Sequence, residues 1–179
     1  MQANPWQGSG VRLVHHVEPD PAFAAELGHQ AALHASRDEH PQALACYQRA
    51  LLLDDSRADL WFNYANLQRR AGMTEDAVES FEFAVRLDPR LYAARYCLAN
   101  LLADLGRPLA AITQYQQAIL QNPDYVPAWR NLGRLHHALG NLGPAHECLA
   151  EAIRRAPHDA ELVDLLAQVL RQREAAAEN

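Results

Sequence analysis

Residues 58–91 read ADLWFNYANLQRRAGMTEDAVESFEFAVRLDPRL, and this stretch decides the fold. Two helical runs flank Gly72, a residue that lets a chain leave a helix through the left-handed conformation. Pro89 then bars continuation of the second run. The unit predicted by these signals is an antiparallel helical hairpin. Sliding the sequence against itself by 34 residues finds the unit again, giving repeats 24–57, 58–91, 92–125 and 126–159.

Three places in the repeat hold small residues throughout. The eighth carries Ala31, Ala65, Ala99 and Gly133, and Ala167 continues it into a partial fifth unit. The twentieth carries Ala43, Ala77, Ala111 and Ala145, and the twenty-seventh carries Ala50, Ala84, Ala118 and Ala152. Close helix crossings need side chains no larger than a methyl group at the contact, with larger residues in the flanking grooves. The larger residues stand at the fourth place (Leu27, Trp61, Arg95, Trp129) and the twenty-fourth (Tyr47, Phe81, Tyr115, Leu149). Asp38, Gly72, Gly106 and Gly140 mark the turn inside each hairpin, while Asp55, Pro89, Pro123 and Pro157 follow each second helix.

The pattern in 58–89 and in PAWRNLGRLHHALGNLGPAHECLAEAIRRAP, 127–157, resembles the tetratricopeptide repeat family. The resemblance covers 24–159 and extends into 160–174. It implies an all-α fold, a right-handed α-solenoid of four hairpins plus a C-terminal capping helix. In domain terms, an N-terminal arm (1–18) precedes the repeat domain (19–174, capping helix 160–174), and a short tail (175–179) is expected to fray. Asp20-Pro21 reads as the first helix start, with Asp20 as N-cap. In the capping helix Leu162, Leu165, Leu166, Val169 and Leu170 share one side, and Asp164, Gln168, Arg171 and Gln172 the other, so that the array closes on a polar face.

The resemblance also implies a function, since members of the family are typically scaffolds that bind peptide segments of partner proteins in a concave groove. That groove is lined from the second, fifth, sixth, ninth, twelfth and thirteenth places. Here these places supply Phe62, Asn63, Asn66, Arg69, Arg70, Tyr96, Asn100, Arg130, Asn131, Arg134 and His137. Phe62 and Tyr96 form an aromatic step on neighbouring first helices. The asparagines both donate and accept, which suits a peptide backbone, and the arginines offer forks for carboxylates. The expected partner is therefore a protein or peptide segment with acidic side chains. Two specialised patterns fit poorly. The carboxylate clamp of chaperone-binding members needs Lys, Asn and Lys where Phe62, Cys97 and Pro127 stand, with Asn66 alone in agreement. The asparagine ladder of O-linked N-acetylglucosamine transferases resembles Asn63 and Asn131, but Cys97 and His29 interrupt it. The alternatives are a subunit of a multiprotein machine for surface polysaccharide, pilus or secretion, or a module serving a separate transferase.

Composition narrows the chemistry. All 16 cationic residues are arginine, so no ε-amine exists for a P-loop or a Schiff base. Sixteen arginines against 22 acids leave a net charge of −6, which disfavours a nucleic-acid partner. No stretch reaches the roughly 18 apolar residues of a membrane span. Three cysteines, Cys46, Cys97 and Cys148, do not form the even framework of a secreted disulfide scaffold, so a cytoplasmic protein is expected. His15-His16 and His136-His137 are adjacent pairs that diverge, no CxxC is present, and no metal or other cofactor is expected. His34 and His136, both at the eleventh place, read as packing residues. Asp76, Glu79 and Glu82 read as a solvated face rather than a catalytic set, so no enzymatic activity is expected. Phe83 interrupts that face and marks a second, convex contact surface. Homo-oligomerisation stays open at this stage.

Overall fold

The computed structural model describes residues 19–177. Among them the backbone enters the left-handed region at four positions, Asp38 (φ 58°), Gly72 (77°), Gly106 (69°) and Gly140 (75°). These are the four turn residues of the repeat, and they set the helix boundaries. The described residues form nine helices: α1 (Pro21–Ser36), α2 (His40–Leu53), α3 (Ala58–Arg70), α4 (Thr74–Leu87), α5 (Tyr92–Asp104), α6 (Pro108–Gln121), α7 (Val126–Ala138), α8 (Leu142–Arg155) and α9 (Ala160–Ala177). Each second helix, α2, α4, α6 and α8, ends two residues before the Asp or Pro at the close of its repeat. At the first helix, Asp20 Oδ1 accepts the Phe23 backbone N–H at 2.9 Å and Pro21 takes the first helical position, as the local sequence predicts.

The small places lie at the helix crossings. Ala31, Ala65 and Ala99 at the eighth place are fully buried, as are all four alanines at the twentieth and all four at the twenty-seventh. Gly133 shows why. A Cβ built there would come within 2.8 Å of Leu149 Cγ and 2.9 Å of its Cδ2, with Cys148 Cβ at 3.4 Å. Helix α7 therefore approaches α8 closer than a methyl group permits.

Residues up to Asp55 and residues from Ser56 onward form two compact units. In the first, α1 packs on α2 around Ala24, Leu27, Ala31, Ala43, Tyr47 and Ala50. In the second, the hairpins α3–α4, α5–α6 and α7–α8 follow one another, each second helix also touching the next first helix, and α9 closes the series against α8. The last core cluster joins Ala145, Leu149 and Ala152 of α8 to Leu162 and Val169 of α9.

Helix α9 departs from the sequence reading in two ways. It runs to Ala177, three residues past the expected 174, because a run of alanines carries high helix propensity and no stop signal intervenes. Its apolar side is also wider than the core it faces. Leu162 and Val169 are fully buried and Leu165 and Leu166 pack beside them, yet Leu170 is 39% exposed and Val163 47%. The cap is therefore not polar all along its outer side. The expected arm, 1–18, lies outside the described residues.

Candidate functional site

The first helices α3, α5 and α7 contribute side chains to one open cavity of about 490 Å³, lined by Arg69, Asn100, Ala103, Asp104, Tyr115, Asn131, Arg134 and Leu135. Four of these, Arg69, Asn100, Asn131 and Arg134, are among the residues expected from the repeat places. The remainder of that set is distributed around the cavity or engaged elsewhere.

A hydrogen-bond network orders the floor. Asn131 Nδ2 donates to Asn100 Oδ1 at 2.9 Å and to the Tyr96 hydroxyl oxygen at 3.1 Å, and the Tyr115 hydroxyl donates to the same Asn100 Oδ1 at 2.5 Å. These bonds orient both amides. With both Asn131 Nδ2 protons committed and Asn100 Oδ1 doubly accepting, Asn131 Oδ1 and Asn100 Nδ2 are left unbonded among the described residues. Burial pushes the Tyr115 phenol above its ordinary value, so this donor stays protonated across the physiological range.

Tyrosine rings pack against one another beside this network. Tyr96 lies 6.1 Å from Tyr115 and meets Tyr125 edge-on at 5.1 Å, and Tyr125 lies 5.1 Å from Tyr92. Phe62 instead tilts against Phe81 of its own hairpin at 5.9 Å. Each expected aromatic is thus seated on its own hairpin, Phe62 on α4 and Tyr96 on α6.

The arginines separate by their partners. Arg69 and Arg134 are exposed on the cavity and make no ion pair among the described residues. Arg130 is held by Asp159, at the start of α9, in a half-buried ion pair. Its guanidinium ties α7 to the start of the last helix. Arg70 is exposed in the last turn of α3, outside the cavity lining. Asn66 Nδ2 donates to the Phe62 carbonyl at 3.0 Å, one turn back along α3, and Asn63 is exposed. His137 Nε2 lies 3.0 Å from Gln172 Oε1 of α9. Asn66, Arg130 and His137 are thereby tied to the fold.

Tyr115 was missed because the twenty-fourth place is a packing place. Its ring is buried as that place requires, while its hydroxyl extends past the helix crossing to the groove. The available signal was a tyrosine at place twenty-four with an asparagine at place nine of one repeat, a combination found only in 92–125.

Other candidates resolve as structure. Phe83 is half-buried, stacked on Trp61 at 4.6 Å and covered by the Arg86 guanidinium at 4.6 Å, so it belongs to a packed sandwich and not to a bare convex patch. His34 Nδ1 lies 2.5 Å from Glu39 Oε2. His136 Nδ1 is buried without a partner among the described residues, and burial lowers its pKa below the usual 6.5. Burial pushes the Cys97 thiol up, and the Cys148 thiol up to about 11. No group of His, Cys, Asp and Glu among the described residues is arranged to hold a metal ion. None of the described helices is long and apolar enough to cross a membrane.

Two family models of the tetratricopeptide repeat match the chain, one at residues 30–92 and 65–109 and the other at 102–169. The chain belongs to the tetratricopeptide repeat family. Such repeats form protein-interaction scaffolds, generally without catalysis of their own. Among solved tetratricopeptide repeat structures, MamA superposes with a TM-score of 0.81 at 20% identity, covering 87% of this chain and 85% of that one. YrrB, described as a TPR protein with an unusual peptide-binding site, superposes at 0.76 with 26% identity, covering 84% and 78%. Among curated relatives, mouse (Mus musculus) Superkiller complex protein 3 is 34% identical over 109 residues, 61% of this chain. The barley (Hordeum vulgare) protein SPINDLY, named as a probable peptide N-acetylglucosaminyltransferase, is 28% identical over 65% of this chain. The chain spans only 7% of the first relative and 13% of the second. The match to both is therefore to a small part of each.

Proposed function

We propose that the groove of α3, α5 and α7 binds an extended, acidic segment of a partner protein, as a non-enzymatic scaffold or adaptor. The observation that carries this reading is the pair of amides fixed by the tyrosine network. Asn100 Nδ2 and Asn131 Oδ1 remain as one donor and one acceptor, matching the C=O and N–H of an extended peptide backbone. Because their orientation is set before binding, little side-chain ordering remains to oppose association. Arg69 and Arg134 on the same cavity supply two unpaired guanidinium groups against the single carboxylate of Asp104, which favours acidic side chains beside that backbone. YrrB, similar over most of its length, has a peptide-binding site by its description, which supports the same mode.

The test compares wild type with the double variant Arg69→Ala/Arg134→Ala in affinity capture followed by titration of the captured segment. Both side chains are exposed, so the variant keeps its fold. Affinity is expected to fall by more than about tenfold, or 1.4 kcal/mol. A change below about threefold refutes groove binding.

A further inference from the structure

Helix α9 begins a fifth repeat unit, and three observations identify the face it leaves open. The fourth and eighth places of a first helix are turned to the second helix of the same hairpin, and the eleventh follows on the same face by helical spacing. Trp61, fourth place, stacks on Phe83 of α4. Arg95, fourth place, donates from Nη1 to Gln114 Oε1 of α6 at 3.1 Å. Gly133, eighth place, lies under Leu149 and Cys148 of α8. In α9 the same places hold Val163, Ala167 and Leu170, again large, small and large. No second helix covers them among the described residues. Val163 is 47% exposed where Trp61 is 2%, and Ala167 is half-exposed where Ala31, Ala65 and Ala99 are fully buried.

The spacing of this stripe, four residues and then three, continues through Glu174 and Ala177, which is the seam of a helix pair. The charges beside it select the occupant. Asp164 and Arg171 lie two turns apart on one flank of the seam, both exposed and neither in an ion pair among the described residues. An antiparallel copy of α9 centred on Ala167 brings Val163 to within one residue of the level of Leu170 of that copy, on the same face. The same alignment sets Asp164 within one residue of the level of Arg171 of the second copy, within side-chain reach, and, by the two-fold axis, Arg171 likewise beside its Asp164. Close contact at the axis needs a small residue, and Ala167 is one.

We infer that α9 pairs antiparallel with α9 of a second copy of this chain, Val163, Ala167 and Leu170 forming the seam and Asp164 with Arg171 setting its direction. A single helix pair falls at the low end of specific interface areas, so the dimer is weak, with Kd on the order of 10–100 µM.

Sedimentation velocity on the full chain, from about 1 µM to about 1 mM, tests this. Wild type is expected to shift from monomer to dimer. Asp164→Arg alone and Arg171→Asp alone each place like charges opposite one another twice and should weaken association by more than about tenfold. Mixing the two single variants in equal amounts pairs Arg with Asp at both sites and should return association to within about threefold of wild type. Circular dichroism of each variant controls for folding, since both side chains are exposed. A wild-type chain that stays monomeric at about 1 mM overturns the inference, even if another protein occupies the face. So does association that the single variants leave unchanged, or that their mixture fails to restore.

Discussion

Gly133 offers the sharpest test of how the hairpins close, because two opposing effects at one atom can be weighed. Replacing it with alanine removes the entropic penalty of an interior helix glycine, a gain of about 1 kcal/mol. The added methyl lands 2.8 Å from Leu149 Cγ and 2.9 Å from Cδ2, and Leu149 is fully buried among α8 and α9 residues, so it has nowhere open to move. Overpacking of this kind costs about 1–3 kcal/mol, and the net expectation for Gly133→Ala is a loss of about 1 kcal/mol, or roughly 2–4 °C in Tm. Gly133→Leu forces three further carbons into the same space, and a loss of about 3 kcal/mol or more is expected. Leu149→Ala alone should cost about 2–5 kcal/mol. In the Gly133→Ala background the same truncation should cost less, because the new methyl fills part of the cavity, giving a coupling of about 1 kcal/mol. Urea denaturation followed by helical circular dichroism measures all four species. Gly140→Ala is the control: its Cβ meets nothing within 4 Å, and its cost is the strain of φ 75°, about 1–2 kcal/mol, additive with Leu149→Ala. If Gly133→Ala instead stabilises by the full propensity gain and adds linearly with Leu149→Ala, the close crossing at the eighth place does not exist.

Arg130→Ala should destabilise the protein by about 1 kcal/mol, since it frees the half-buried Asp159 at the start of α9, whereas Arg69→Ala should leave Tm unchanged; thermal unfolding of the two separates bracing from groove arginines. In the folded state His136 favours its neutral form because burial lowers its pKa, so its contribution is complete above pH 6.5 and declines as pH falls below that value. His136→Gln should therefore flatten the acid limb of a stability profile between pH 7 and pH 5, and an unchanged limb counts against the burial. Cys148, buried with its thiol raised to about 11, should resist a thiol reagent at neutral pH until the chain unfolds; rapid labelling of Cys148 in the native chain would contradict its place beneath α7.

The elements were legible in the sequence because their signals are local and repeat. Each turn needs one residue that tolerates positive φ, and the 34-residue period exposed Asp38 beside three glycines. Each crossing needs a methyl or less, and the period exposed those places too. Half of the groove was legible for the same reason, since a residue's place in the repeat decides which way it points. Its partners are decided by other repeats. Arg130 and Arg134 stand one turn apart on α7, but only Arg130 is near Asp159 of the following unit. Asn66 and Asn100 share the ninth place, yet Asn66 turns back to the Phe62 carbonyl, while Asn100 is held by Tyr115 and Asn131.

By itself the sequence determined the helical hairpins, their boundaries and their close crossings, because those follow from backbone sterics and side-chain size within 34 residues. Only the tertiary structure decided which polar groups remain available. That depends on hydrogen bonds and ion pairs between side chains 15 to 35 residues apart, such as Tyr115 with Asn100 and Asn131 with Tyr96. Such bonds need a few ångströms of three-dimensional proximity, which periodicity along one chain does not specify. The same holds for α9. Its pattern placed Leu170 with the core, and only the packing against α8 left Leu170 and Val163 facing outward.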